Sequence, residues 1–119
     1  TAGTEMTDEL LPNRASRFAY AWQYLIDPAR RDDFLAAYGP DGAWVRLFAR
    51  DGNYFGTVLL SDADNENRYV TIDYWLSRDA RDVFRTAHAA DFSSLDRTCE
   101  AYTVTEEFLG DFVIVDPPV

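Results

Sequence analysis

The chain has 119 residues, enough for one domain with its own apolar core and no need of disulfide or metal support. Hydrophobic residues make up 47% and aromatic residues 15%, which excludes a disordered chain. Twenty-one acidic against eleven basic side chains give a net charge of −10, which opposes binding to nucleic acid or to an anionic membrane. Cys99 is the single cysteine, so no intramolecular disulfide can form, and with one histidine the chain has too few soft ligands for a protein-built zinc site.

Residues 1–15 are polar and aperiodic and read as an N-terminal tail, with residues 16–119 as a single domain. The tail has no apolar stretch of the signal-peptide kind, and no segment reaches the roughly 18 apolar residues of a membrane span. A cytoplasmic protein is expected. From Phe18 to Ile26 two faces alternate: Phe18, Tyr20, Trp22, Tyr24 and Ile26 on one, Ala19, Ala21, Gln23 and Leu25 on the other. That is a strand with apolar character on both faces. Antiparallel sheets usually wet one face, so the pattern predicts helices on one side and a partner on the other.

Asp27-Pro28 then starts a helix, predicted over 28–38, with Phe34, Ala37 and Tyr38 turned inward. Gly39-Pro40-Asp41-Gly42 stops it, and a second short helix places Trp44, Leu47 and Phe48 on one face. Turn chemistry at Arg50-Asp51-Gly52-Asn53 precedes a strand over 54–60. The polar segment 61–67 is expected as a connector to a strand over 68–76, so the two strands form an antiparallel hairpin. That connector is acidic but lacks the glycine and terminal glutamate of a twelve-residue calcium loop. Ser77 caps the next helix, whose Ala80, Val83, Phe84, Ala87 and Asp91 or Leu95 trace a stripe at helical spacing, with a bend expected near Phe92-Ser93-Ser94. A fourth strand is predicted over 100–108 and a further short one over 112–115.

This order predicts an α+β, ferredoxin-like domain: a four-stranded antiparallel sheet with helices on one face. The other face would expose more apolar area than a soluble monomer normally carries. Two sheets packed face to face would bury it, giving a homodimer that closes into a dimeric α+β barrel.

Tyr54-Phe55-Gly56-Thr57 with Leu59-Leu60, the run Arg68-Tyr69-Val70 through Tyr74-Trp75-Leu76-Ser77-Arg78, and then Phe84 and His88 together resemble the antibiotic biosynthesis monooxygenase family. The resemblance spans roughly residues 18–107 and implies the same homodimeric α+β barrel. It is less specific for reaction, because that family includes cofactor-free quinol and polyketide monooxygenases as well as haem-degrading enzymes. The segment from Asp82 to His88 is similar to the one that supplies the haem-ligating histidine of the haem-degrading branch. Arg78, however, stands where that branch has a tryptophan, and Trp22 where it has an asparagine. The resemblance therefore implies a cofactor-independent monooxygenase acting on a small aromatic, quinol or polyketide-like molecule, with no cofactor and no metal. A non-enzymatic, ligand-binding homodimer of the same fold is the alternative.

Such a reaction needs an apolar pocket, orientation and a group to handle a proton. Trp22, Tyr24, Trp44, Phe48, Tyr74, Trp75 and Phe84 are the candidate walls, although parity alone leaves open which of Tyr74 and Trp75 faces the helices. His88, one turn after Phe84, is the candidate catalytic base, with Tyr74 and Asp73 as further polar groups. The competing reading makes His88 a half-buried packing residue. Cys99 is expected to be an inert buried thiol.

Overall fold

The computed structural model describes residues 16–115, so the expected N-terminal tail lies outside the described residues. One antiparallel sheet has the order β2-β3-β1-β4, made of β1 (Phe18–Ile26), β2 (Tyr54–Asp62), β3 (Asn65–Trp75) and β4 (Thr103–Val113). Helices α1 (Arg31–Tyr38), α2 (Ala43–Phe48), α3 (Arg78–Ala87) and α4 (Ala89–Cys99) pack on one face of it. The α+β, ferredoxin-like architecture is the one expected from the element order.

β1 is central because it is apolar on both faces. Its pairing with β3 sets Phe18 opposite Trp75, Tyr20 opposite Asp73, Trp22 opposite Thr71 and Tyr24 opposite Tyr69. Side chains alternate along a strand, so the odd-numbered residues of β3 face the helices with the aromatic row of β1. This resolves the parity question: Trp75 faces the helices and is fully buried, while Tyr74 lies on the opposite face.

Several boundaries depart from the sequence expectation for local physical reasons. The polar stretch 61–67 is mostly strand, since Asp62 pairs with Asn65 and only Ala63 and Asp64 turn. Asp62 accepts a hydrogen bond from the Asp64 backbone N–H at 2.9 Å, and Asn65 accepts one from Asn67 at 3.0 Å. The acidic and amide side chains there thus build the turn. The helix expected over 28–38 opens with a 3₁₀ turn, Pro28–Arg30, capped by the Asp27 carboxylate on the Ala29 N–H at 3.0 Å. The break between α3 and α4 falls at His88, not at 92–94. The two strands expected after residue 100 are one strand, β4, interrupted by a bulge.

Among the described residues, positive φ occurs only at Gly56 (131°) and Gly110 (144°). Both lie where an edge strand slips register against its neighbour. Residues three apart on a regular strand face opposite sides. The bulge at Gly56 instead sets Tyr54 opposite Trp75 and Thr57 opposite Asp73, so both point to the helices. At Gly110 the same device turns both Phe108 and Asp111 inward, opposite Trp22 and Tyr20.

The core is largely aromatic. Phe34 stacks on Tyr38 at 4.5 Å, and Trp75 sits among Phe48, Tyr54 and Phe84 at 5.7, 5.3 and 5.1 Å between ring centres. Arg81 of α3 is buried and grips Asp111 of β4 with two hydrogen bonds, 2.9 and 3.2 Å, while its guanidinium lies 4.9 Å from the Tyr20 ring centre. This fork ties the helix layer to an edge strand.

Candidate active site

A cavity of about 240 Å³ opens between the sheet and the helices. Its floor is two rungs of the sheet. One rung carries Tyr20, Asp73 and Thr57 side by side on β1, β3 and β2, and the next carries Trp22 and Thr71. Tyr38 of α1, with Trp44, Val45 and Phe48 of α2, supplies one wall. Arg85 of α3 and Phe92 and Asp96 of α4 supply the other, and the exposed Glu106 of β4 stands at the opening. Strand periodicity therefore delivers a polar rung into a mostly aromatic chamber, the composition expected of a small-molecule site.

Asp73 is the chemically distinctive group. It is only 6% exposed, and burial pushes its carboxyl from an ordinary 3.8 up to about 7. A hydrogen bond from the Thr57 hydroxyl at 2.5 Å and the positive charge of Arg85 pull part of that rise back. The Thr57 oxygen also meets the Tyr54 hydroxyl at 2.5 Å. Arg85 is held between rings, with its guanidinium 5.3 Å from the centres of both Tyr20 and Phe92. Its Nε is buried and has no hydrogen-bond partner. No ion pair joins Arg85 to Asp73, although the arginine charge reaches the carboxyl. Burial raises the phenols of Tyr20, Tyr24 and Tyr38, so at neutral pH they are uncharged. Tyr24 shares a 3.3 Å hydrogen bond with Thr71.

Of the residues singled out from sequence, Trp22, Tyr24, Trp44 and Phe48 border this cavity. Trp75 and Phe84 do not border it and pack against Phe48, at 5.7 and 5.5 Å, within the core. Tyr74 is on the far face of the sheet. His88 links α3 to α4 with its ring stacked on Phe84 at 4.6 Å, and it does not border the cavity. Thr57, Thr71 and Arg85 were not anticipated, and Asp73 was only one of several polar possibilities. The available signal was parity, since an acid sharing the inward face with Trp75 on a central strand must be buried. Cys99 is fully buried at the end of α4, its thiol pushed up by burial. Among the described residues no group of three or more His, Cys, Asp or Glu side chains is placed to hold a metal ion.

No family model and no curated protein matches this sequence. Solved structures do. SnoaB from Streptomyces nogalater, described as a cofactor-independent oxygenase, superposes with a TM-score of 0.62 at 26% identity, covering 82% of this chain and 91% of its own. A candidate antibiotic biosynthesis monooxygenase from Nitrosomonas europaea gives a TM-score of 0.70 at 11% identity, over 87% of this chain and 95% of that one. Another, from Bordetella bronchiseptica, gives 0.63 at 24% identity, over 82% and 95%. The fold is that of the antibiotic biosynthesis monooxygenases. In this version of the antibiotic biosynthesis monooxygenase fold, the cavity floor carries a buried acid flanked by a tyrosine and a threonine. Among the described residues no helix is long and apolar enough to cross a membrane.

Proposed function

We propose that this chain is a cofactor-independent monooxygenase acting on a small aromatic quinol or polyketide-like phenol, with Asp73 as the proton acceptor. The observation that carries this is Asp73 itself: a buried carboxyl poised near neutral pH inside an aromatic chamber, across from an arginine whose Nε lacks a partner. The likeness to SnoaB, an oxygenase described as cofactor-independent, supports the same reading.

A phenol that stacks between the ring walls presents its hydroxyl to the polar rung. The Asp73 carboxylate takes the hydroxyl proton, and the oxyanion that forms is stabilised by the positive charge of Arg85, which borders the cavity. Deprotonation makes the ring electron-rich enough to be the electron donor to oxygen. In a phenol that also carries an activated ring CH₂, such as a hydroxylated anthrone, that CH₂ is oxidised to a carbonyl. One atom of O₂ stays in the product, the other leaves as water with the two hydrogens of that carbon, and the product phenolate either takes its proton back from Asp73 or leaves as the anion. The apolar walls keep bulk water from the reactive intermediate.

The test is oxygen uptake by purified protein with a panel of hydroquinones, naphthols and anthrones, without added flavin, haem or metal. Turnover with at least one of them is expected. Binding of panel members with no uptake above buffer would instead favour a ligand-binding protein of the same fold. We also propose that a second copy covers the face of the sheet opposite the helices, because Leu60 and Phe112 there are about half exposed, at 46% and 50%.

A further inference from the structure

We infer that Tyr54 and Thr57 form a proton wire that connects Asp73 to solvent by a route separate from the mouth of the cavity. The inference rests on Asp73 being the proton acceptor proposed above, and it answers a problem that this role creates. A flat substrate filling the chamber blocks water from reaching the carboxyl through the opening. The oxidation releases no net proton, so when the product leaves as its phenolate the proton stays on the carboxyl and has to reach solvent before the next turnover.

The geometry supplies the path. Tyr54 Oη, Thr57 Oγ1 and Asp73 Oδ1 stand in line, with 2.5 Å between each neighbouring pair. Thr57 and Asp73 border the cavity, whereas Tyr54 does not; it is half-buried on the edge strand β2. The alignment exists only because the Gly56 bulge puts residues three apart on one face of the strand. The titratable and charged groups facing Asp73 are Tyr20 and Tyr24 from β1, Tyr54 from β2 and Arg85 from α3. Among them, Tyr54 is the one reached through a shared hydroxyl.

Hydroxyls both donate and accept, so the chain runs in either direction. With Asp73 ionised, Tyr54 donates to Thr57 and Thr57 donates to Asp73. With Asp73 protonated, the carboxyl donates to Thr57, Thr57 to Tyr54, and Tyr54 to solvent. Passing from the second arrangement to the first moves one proton from Asp73 to water. No hydroxyl changes its charge.

The wire can be tested without substrate, so its failure is distinguishable from the absence of oxygenase activity. In full-length protein, the ¹³Cζ resonance of Tyr54 should shift with a midpoint equal to that of the Asp73 carboxyl carbon, because the Tyr54 hydroxyl changes partner when Asp73 titrates. Thr57→Val should abolish that step while Asp73 still titrates, at a higher pH than in the wild type. Thr57→Ser should retain it. Tyr54→Phe, which keeps the ring packed on Phe48 and Trp75, should raise the Asp73 midpoint by a smaller amount. With an oxidised panel substrate, Tyr54→Phe should lower kcat about tenfold and leave KM unchanged, as expected if chemistry is intact and proton exchange is slowed. A Tyr54 resonance that stays flat through the Asp73 titration would overturn the inference. So would a step that survives undiminished in Thr57→Val, since a field acting through space would then explain it. If Thr57→Val does not fold, Thr57→Ala removes the same hydroxyl and takes its place: loss of the step there with retention in Thr57→Ser sustains the wire, and a step undiminished in Thr57→Ala overturns it.

Discussion

At Asp73, stability and chemistry are set against each other. The unfolded carboxyl ionises near 3.8 and the folded one near 7. Between those values the folded chain holds a proton that the unfolded chain has released, so stability falls as pH rises from about 4 to about 7 and then levels off. At about 1.4 kcal/mol per pH unit, the gap is a few kcal/mol. Asp73→Asn is therefore expected to leave the Tm near pH 3.5 unchanged and to raise it at pH 8. Calorimetry at the two pH values decides this, and an equal gain at both would contradict a buried ionisation. The same variant should lose turnover by about 10²–10⁴, and wild-type kcat/KM should fall as pH drops below about 7. His88 gives the converse case: His88→Ala removes a ring stacked on Phe84, so a stability loss of about 1–3 kcal/mol with unaltered turnover is expected. The aromatic walls were legible in sequence because Trp22, Tyr24, Trp44 and Phe48 fall on inward positions of regular elements. Arg85 was not legible, since it follows Phe84 on the same helix and only the tertiary fold brings it against Tyr20 and Phe92. His88 does follow Phe84 by one turn, as the sequence implies, but it sits where α3 ends and its ring stacks on Phe84 instead of bordering the cavity, which the helical stripe alone does not reveal.

At the scale of elements, the bulges do what alternation cannot. Gly56 has open space around an added Cβ, with nothing within 4 Å, so only its φ of 131° resists substitution. That region of backbone is close to glycine-only, and Gly56→Ala should cost about 1–3 kcal/mol in urea unfolding. Gly52→Ala adds a methyl group to equally open space at an ordinary φ and should stay within about 0.5 kcal/mol. Equal effects at the two sites would mean that the bulge is not a strained, specified feature. The hairpin and the capped helix after Ser77 were legible because period and cap agree: the Ser77 hydroxyl accepts from the Ala80 N–H at 3.0 Å. The hairpin's length and the unity of β4 were not. Acidic residues that close a two-residue turn read like a loop, and Gly110-Asp111 reads like a strand end until the pairing with Ala21 and Tyr20 is known.

For the whole molecule, the sheet face that the described helices leave open is the one the proposed second copy would cover. Ile72 lies near its middle, paired with Ala21 on one side and Val58 on the other, so the centre is apolar and shallow. Charge is kept to a self-satisfied row: Arg68 donates to Gln23 at 2.9 Å, and Gln23 donates to Glu107. A row paired internally can be covered without leaving an orphan charge, whereas a lone carboxylate cannot. Sedimentation equilibrium near micromolar concentration should give about twice the 13.6 kDa chain mass. Ile72→Asp should sediment as the monomer with its far-ultraviolet circular dichroism retained, because the new carboxylate stays hydrated in a free chain and is desolvated between two sheets, a penalty of roughly 3–5 kcal/mol. Each chain carries a net charge of −10, so the copies repel through solvent, and added salt should tighten the wild-type dimer. A wild-type monomer at this concentration, or a dimer indifferent to Ile72→Asp, would show that something other than a second copy of this face covers the sheet.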